Sequence, residues 1–333
     1  MSGPLDLIHS RWIKKYNLSD KAFEVVSLPA RKLLTPGRFD LFAKLFYVRN
    51  RKVRPSLARR VYYENLRALV PLGKEWGKEE EKSSFAIHFR VFDDLIDSFS
   101  SGEFDSSVSI VPVGKSNTLM DGAHRISSLA YYGKDVTACI FQDVEAERFP
   151  YDFFITRGMS LRAADLAALE GVNWLEGMEI LCVWPGGEEP DLNGAEVFYR
   201  RDFRLDTRSY LMLRHLADPD RNVTVGDADA EVTVSFIFFV PNSVEAIMGD
   251  DRVTFARGKE SVGRLSELVL TWDGRRKWYD GGSLSFLGFR LWAGLQDRYC
   301  SRISFLQRRR FVEGDWQYMP LSEKVLKKIK KWL

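Results

Sequence analysis

Cysteine is scarce: Cys139, Cys182 and Cys300 lie far apart, with no ligand spacing. That excludes a disulfide framework or a cysteine-based zinc site and fits a reducing compartment. Long hydrophobic runs are missing too. No apolar stretch reaches the ~18 residues of a membrane span, and the N-terminus lacks the basic-then-apolar pattern of a secretory signal. Neither sign of charge dominates: 49 Lys and Arg face 46 Asp and Glu, and the net +3 is too small to argue for nucleic acid by itself. No internal repeat or low-complexity segment interrupts the pattern. What is present is an ordinary globular composition over 333 residues, long enough for about two domains and expected in the cytoplasm.

Charge is nevertheless unevenly spread. Arg49, Arg51, Lys52, Arg54, Arg59 and Arg60 form a basic run, followed by a mixed stretch from Lys74 to Lys82. Such a run reads either as a solvated helical face or as a surface that meets a polyanion. At the C-terminus, Leu321, Val325, Ile329 and Trp332 share one face of a helix, surrounded by Lys324, Lys327, Lys328, Lys330 and Lys331. That basic amphipathic helix over 321–333 suits packing on the body, or peripheral contact with an anionic membrane surface.

Periodicity divides the chain into an N-terminal helical region, an α/β unit and a second α/β domain. Residues 1–84 read mostly helical, punctuated by Pro29, Pro36 and Pro55. In 85–150, Phe89, Phe92, Leu95, Ile96 and Phe99 recur at helical spacing and predict a helix over 87–100. Strands are expected at 109–113 and 118–120, a helix at 124–132 stopped by Gly133, and a strand at 136–141. In 151–320, Ser160 caps a helix that Gly171 stops, strands run over 179–184 and 231–240, and 259–272 reads helical. The fold class is α/β (α+β).

The most specific stretch is Asp121-Gly-Ala-His-Arg125, where an apolar strand gives way to an amphipathic helix. Glycine lets backbone approach a ligand, and the first N–H groups of a helix attract an anion. Asp121, His124 and Arg125 add a carboxylate, a titratable ring and a fixed cation. A plain strand–helix turn with an Asp cap and a satisfied His is the simpler reading, but a cap requires only one polar residue. Val113-Gly-Lys-Ser116 mimics the end of a P-loop but fails it: Ser109 stands where the first Gly belongs, and a strand rather than a helix follows. Lys115 remains a phosphate-contact candidate through its neighbouring hairpin. His88 is a second catalytic candidate, with an ordinary surface or capping role as its alternative. Asp227-Ala-Asp229-Ala-Glu231 precedes its apolar strand, where a metal-binding Asp-x-Asp pair would follow one, and reads as a solvated turn. His215 with Asp218 and Asp220 lacks further ligands and reads as a helix end. Trp278, Trp292 and Trp316 could stack on sugars but suit an aromatic core better.

Residues 85–145 resemble the ParB/sulfiredoxin superfamily. The likeness rests on Phe92-Asp-Asp-Leu-Ile-Asp-Ser-Phe99, Gly102-Glu-Phe-Asp105, Ile110-Val-Pro-Val113, Asp121 to Arg125, and Gly133 before Val136. The resemblance implies a motif backbone and Arg125 that bind nucleotide phosphates, and, in the kinase branch, an Asp121 that serves metal–phosphate chemistry. It also implies a catalytic Glu upstream, near Glu79, Glu80 or Glu81. Sulfiredoxin has a Cys where Ala123 stands, and the helix-turn-helix of the DNA clamps is not seen after 145. Proteins encoded with bacterial surface-polysaccharide enzymes share a similar N-terminal region and motif. The expected function is therefore a kinase using ATP or another nucleotide with Mg²⁺. Asp121 is its metal or base candidate, and His124 is a catalytic candidate that donates to phosphate or accepts a proton. Gly122, Ala123, His124, Arg125 and Lys115 are its nucleotide contacts, and a small-molecule or glycan hydroxyl its acceptor. Alternatives are a non-catalytic nucleotide-sensing or nucleic-acid-binding protein, and a glycosyltransferase built on the second domain.

Overall fold

The computed structural model describes residues 3–71, 84–101, 110–192, 194–205, 210, 214, 232–241 and 252–271. Its first half contains α1 (Ser10–Tyr16), β1 (Glu24–Pro29), α2 (Asp40–Asn50), α3 (Pro55–Leu69), α4 (Phe85–Ser101), β2 (Val111–Val113), α5 (Ala123–Tyr131) and β3 (Asp135–Ile140). β3 is the middle strand, parallel to β2 and antiparallel to β1, so Ala138 faces Val111 on one side and Val26 on the other. The N-terminal region is thus not purely helical. β1 is a short edge strand that turns only Val26 and Leu28 toward the core and leaves Val25 44 % exposed, too weak an alternation to read beforehand. The second strand expected at 118–120 is a single bridge between Val113 and Leu119, because a one-turn helix at Lys115–Asn117 uses up the intervening chain.

The second half holds α6 (Tyr151–Thr156), α7 (Leu161–Trp174), β4 (Glu179–Val183), β5 (Glu196–Leu205), β6 (Val232–Val240), β7 (Val253–Ala256) and α8 (Lys259–Thr271). Its sheet runs β5-β6-β4-β7 with every pair antiparallel. β6 is apolar on both faces for a structural reason. Phe236 and Phe238 join the main core with Ile180 and Cys182, while Ile237 and Phe239 form a smaller cluster with Leu181, Val183 and Val253 on the opposite face. Among the described residues no helix is long and apolar enough to cross a membrane.

Phe198 sits at the junction of the halves, alongside Phe39, which packs against Tyr151 and Phe154. Phe198 is the extra residue of a bulge in β5, between Val197 and Tyr199, and a bulge re-aims its side chain. The ring lies 5.3 Å from Phe39 and 5.0 Å from Phe42, centroid to centroid, at the start of α2. Its other side fills the space above Gly171, where an added Cβ would overlap the ring. Gly171 therefore does not stop α7. The helix continues to Trp174, with the glycine inside it as the seat of an aromatic wedge. A continuous buried cluster runs from Ala30 to Leu270, so the divisions expected at 84/85 and 150/151 do not separate independent cores. The segment 321–333 lies outside the described residues. Replacing Gly171 with Ala should lower stability by ~1–3 kcal/mol, because overpacking outweighs alanine's better helix propensity of at most ~1 kcal/mol. A urea midpoint that rises in G171A would contradict this packing.

Candidate functional site

Leu119 to Arg125 pass from a strand-like segment into α5. Met120 N–H donates to the Pro112 carbonyl at 3.0 Å, aligning the segment with β2. Gly122 then takes a left-handed conformation, φ 85° and ψ 22°, and serves as the N-cap of α5. An ideal Cβ there would lie 2.8 Å from Val111 Cγ1 and 3.0 Å from an Arg125 guanidinium nitrogen, so shape and backbone both require glycine. No side chain caps the helix start, Asp121 included. The Asp cap of the simple turn is thereby corrected, whereas its satisfied histidine is present, bonded to Tyr62. The first N–H groups of any α-helix have no partner within the helix and point along its axis toward the side from which an anion would approach.

Three side chains surround that start. Arg125 is largely buried, its side chain 21 % exposed, with Asp121 Oδ2 at 3.9 Å. Burial pushes its guanidinium below the usual arginine range, while Asp121 acts the other way. His124 Nε2 lies 2.8 Å from the hydroxyl of Tyr62, a fully buried residue of α3. The Phe92 ring of α4 packs edge-on against the imidazole, 4.6 Å away. Tyr62 and Phe92 thus fix the plane of the histidine from two different helices.

Beneath the turn sits a buried charge cluster. Arg38 donates to both oxygens of Asp40 at 2.9 and 3.1 Å, and Lys44 Nζ reaches the same carboxylate at 2.8 Å. Burial alone would raise the Asp40 pKa, but Arg38 and Lys44 outweigh it and hold the carboxyl at about 2. The remaining arm of Arg38 donates to the Leu119 carbonyl, two residues before Asp121. Tyr62, Arg38 and Asp40 were all missed as site components. A signal for two of them was present: α2 is apolar on nearly every face, and a helix buried all round must pair any charge it carries.

The other candidates fall elsewhere. Gly122 abuts Val111 at the beginning of β2, whereas Lys115 lies past its end, four residues and up to ~13 Å further on at ~3.3 Å per residue. There its ammonium pairs with Glu145 at 3.0 Å in solvent. Lys115 is not part of the turn. His88 is neither a surface nor a capping residue: it is 2 % exposed on the α4 face that also buries Phe85 and Phe92, closed to a ligand in this arrangement. In the basic run, Arg49 pairs with Glu170, Arg51 with Asp93 and Asp97, and Arg60 with Glu64. Arg49 and Arg51 tie neighbouring helices together and Arg60 pairs within α3, which favours the structural reading over a polyanion surface. Glu79, Glu80, Glu81, Asp227, Asp229, Glu231, His215, Asp218, Asp220 and the three tryptophans Trp278, Trp292 and Trp316 lie outside the described residues.

Among the described residues no group of three or more His, Cys, Asp or Glu side chains could hold a metal ion. The one carboxylate on the turn, Asp121, suits only a cation that takes its remaining ligands from water and phosphate oxygens, the usual manner of Mg²⁺. No protein-family model matches the chain, and neither do curated proteins or solved structures.

Two outcomes follow from this geometry. Gly122→Ala should cost ~1–3 kcal/mol through its positive φ and the Val111 contact, read by chemical denaturation and by loss of whatever anion the turn binds. Asp40, held at about 2 against ~3.9 unfolded, contributes stability that is complete above the unfolded value and is lost as pH falls toward 2. Urea titrations of wild type between pH 5 and 2.5 should therefore show a steeper loss than those of Asp40→Asn. Parallel curves would show that Asp40 does not carry that dependence.

Proposed function

We propose that the chain is a nucleotide- and Mg²⁺-dependent phosphotransferase that acts on a hydroxyl of a small molecule or saccharide. The observation that carries this reading is the start of α5: a helix N-terminus behind an obligatory glycine, with Arg125 and His124 in its first turn. Phosphoryl transfer requires positioning and charge stabilisation more than covalent chemistry, and those are what such a turn supplies. The likeness of 85–145 to the ParB/sulfiredoxin superfamily points the same way.

In this reading the backbone N–H groups of Ala123, His124 and Arg125 bind phosphate oxygens, and the guanidinium of Arg125 adds a cation in a half-dry setting where charge is poorly screened. His124, its ring plane set by Tyr62 and Phe92, donates to the phosphate or accepts the acceptor's proton. Asp121 holds Mg²⁺, which neutralises phosphate charge when bound. The base that activates the hydroxyl is His124 or a glutamate of the 79–81 stretch. Pairing of Arg49, Arg51 and Arg60 with carboxylates weighs against the nucleic-acid alternative.

Incubation with Mg²⁺-ATP and a panel of sugars and other alcohols, scored by product mass, tests the activity. Asp121→Asn should abolish product while retaining nucleotide binding. Arg125→Ala should weaken binding ~10- to 100-fold, the equivalent of one lost charged hydrogen bond. Full turnover in Asp121→Asn would overturn the site. Nucleotide binding by wild type with no product from any acceptor would move the conclusion to a non-catalytic nucleotide sensor.

A further inference from the structure

The turn that carries the proposed phosphate site has little structure of its own. Residues 118–120 make only a single bridge to β2, and no neighbouring strand flanks them on the outer side among the described residues. Two contacts from the start of α2 and the residues just before it make up the difference, one before the glycine and one after it. Upstream, Arg38 donates to the carbonyl of Leu119, a fully buried residue. Downstream, the Ser127 hydroxyl lies 3.1 Å from the Leu41 carbonyl and 2.9 Å from that of Ala123, the first residue of α5. Arg38 and Leu41 flank Asp40, so both contacts originate within four residues.

Arg38 is itself held firmly. Its guanidinium is locked on Asp40 by two hydrogen bonds and lies 5.2 Å over the Phe149 ring. Its backbone is fixed by reciprocal bonds, Phe149 N–H to the Gly37 carbonyl at 2.8 Å and Phe39 N–H to the Phe149 carbonyl at 2.9 Å. A planar five-donor group can satisfy a carboxylate and a carbonyl at once, which a lysine ammonium on a flexible stem does not reproduce.

We infer that Arg38 and Ser127 are positioning residues: they clamp the Leu119–Ala123 segment onto the start of α2 and the residues just before it, and so set where the α5 N–H groups and Arg125 present themselves to phosphate. This rests on the nucleotide reading of the turn. A clamp of this kind separates two quantities that a purely structural residue would move together. In Arg38→Lys the charge opposite Asp40 survives, with Lys44 still beside it, so the fold is retained while the Leu119 carbonyl loses its fixed donor.

The test compares wild type with Arg38→Lys by three measurements: thermal melting, amide hydrogen exchange at Met120 and Ile126, and calorimetric titration with Mg²⁺-ADP. The expected result is a melting temperature close to wild type, faster exchange at Met120 and Ile126 with β4 and β6 unchanged, and a Kd raised about tenfold. Unchanged affinity overturns the inference. So does a loss of affinity accompanied by uniformly faster exchange, which is the signature of a structural role alone. Should Arg38→Lys fail to fold, Ser127→Ala removes the second anchor with no charge change and carries the same expectation at Ile126 and for Mg²⁺-ADP. If wild type takes up no Mg²⁺-ADP, the nucleotide reading fails, and exchange at Met120 and Ile126 in the variants still decides whether the clamp exists.

Discussion

A single carboxylate, Asp40, organises the middle of this protein. It sits at the first turn of a helix that is buried on almost every side, where an isolated charge would be intolerable. Arg38 and Lys44 satisfy it, and each carries a tie onward: Lys44 reaches Asn65 of α3 at 3.5 Å, and Arg38 reaches the Leu119 carbonyl. Buried pairs of this kind add little net stability over a hydrophobic alternative, yet breaking one costs ~3–5 kcal/mol. Their value is therefore in fixing one arrangement. Here that arrangement brings α2, α3 and the strand–helix turn to one point.

The contrast with the other ion pairs is a matter of solvent. Lys115 with Glu145 and Lys15 with Glu147 are solvated pairs, worth ~0–1 kcal/mol and screened by salt. Arg49 with the buried Glu170 is intermediate: its acid lies in the core and also accepts from Trp174 Nε1 at 2.9 Å. Burial raises the pKa of that carboxyl against the opposing pull of Trp174 and Arg49. A second buried carboxylate, Asp165 of α7, repeats the design of Asp40 in the second half of the chain, held by Tyr199 at 2.7 Å and by Arg201 of β5. Both halves thus dock a helix to its neighbours through a buried aspartate, and Phe198 packs where the halves meet.

Legibility followed the length and periodicity of each element. α4, α5, α7, β4, β6 and α8 were expected within a few residues of where they lie, because their apolar faces recur over two or more turns or form a long β-rich run. β1 and β5 were missed. β1 is a half-exposed edge, and β5 alternates Arg200, Arg201 and Arg204 with its aromatics, so neither shows a clean apolar stripe. Gly171 was misread for a different reason: helix-stopping is a local property of glycine, but the Phe198 ring that needs its empty space arrives from 27 positions later in the chain. The site was legible in its motif, Asp121 to Arg125, whose turn chemistry is local. Lys115 was misplaced because sequence proximity across a hairpin does not reveal which end of the strand a residue occupies.

The sequence by itself determined the α/β class, the glycine-led strand-to-helix turn and the identities of the side chains gathered on it, since these rest on local backbone preference and short-range periodicity. Only the tertiary structure decided what surrounds that turn. Tyr62 is 62 positions from His124, and Arg38 is 81 from Leu119, separations at which no local pattern specifies a partner. Each pairing follows from burial: Asp40 on the enclosed α2 requires Arg38 beside it, and the hydroxyl of the enclosed Tyr62 on α3 requires a partner that the folded chain supplies as His124.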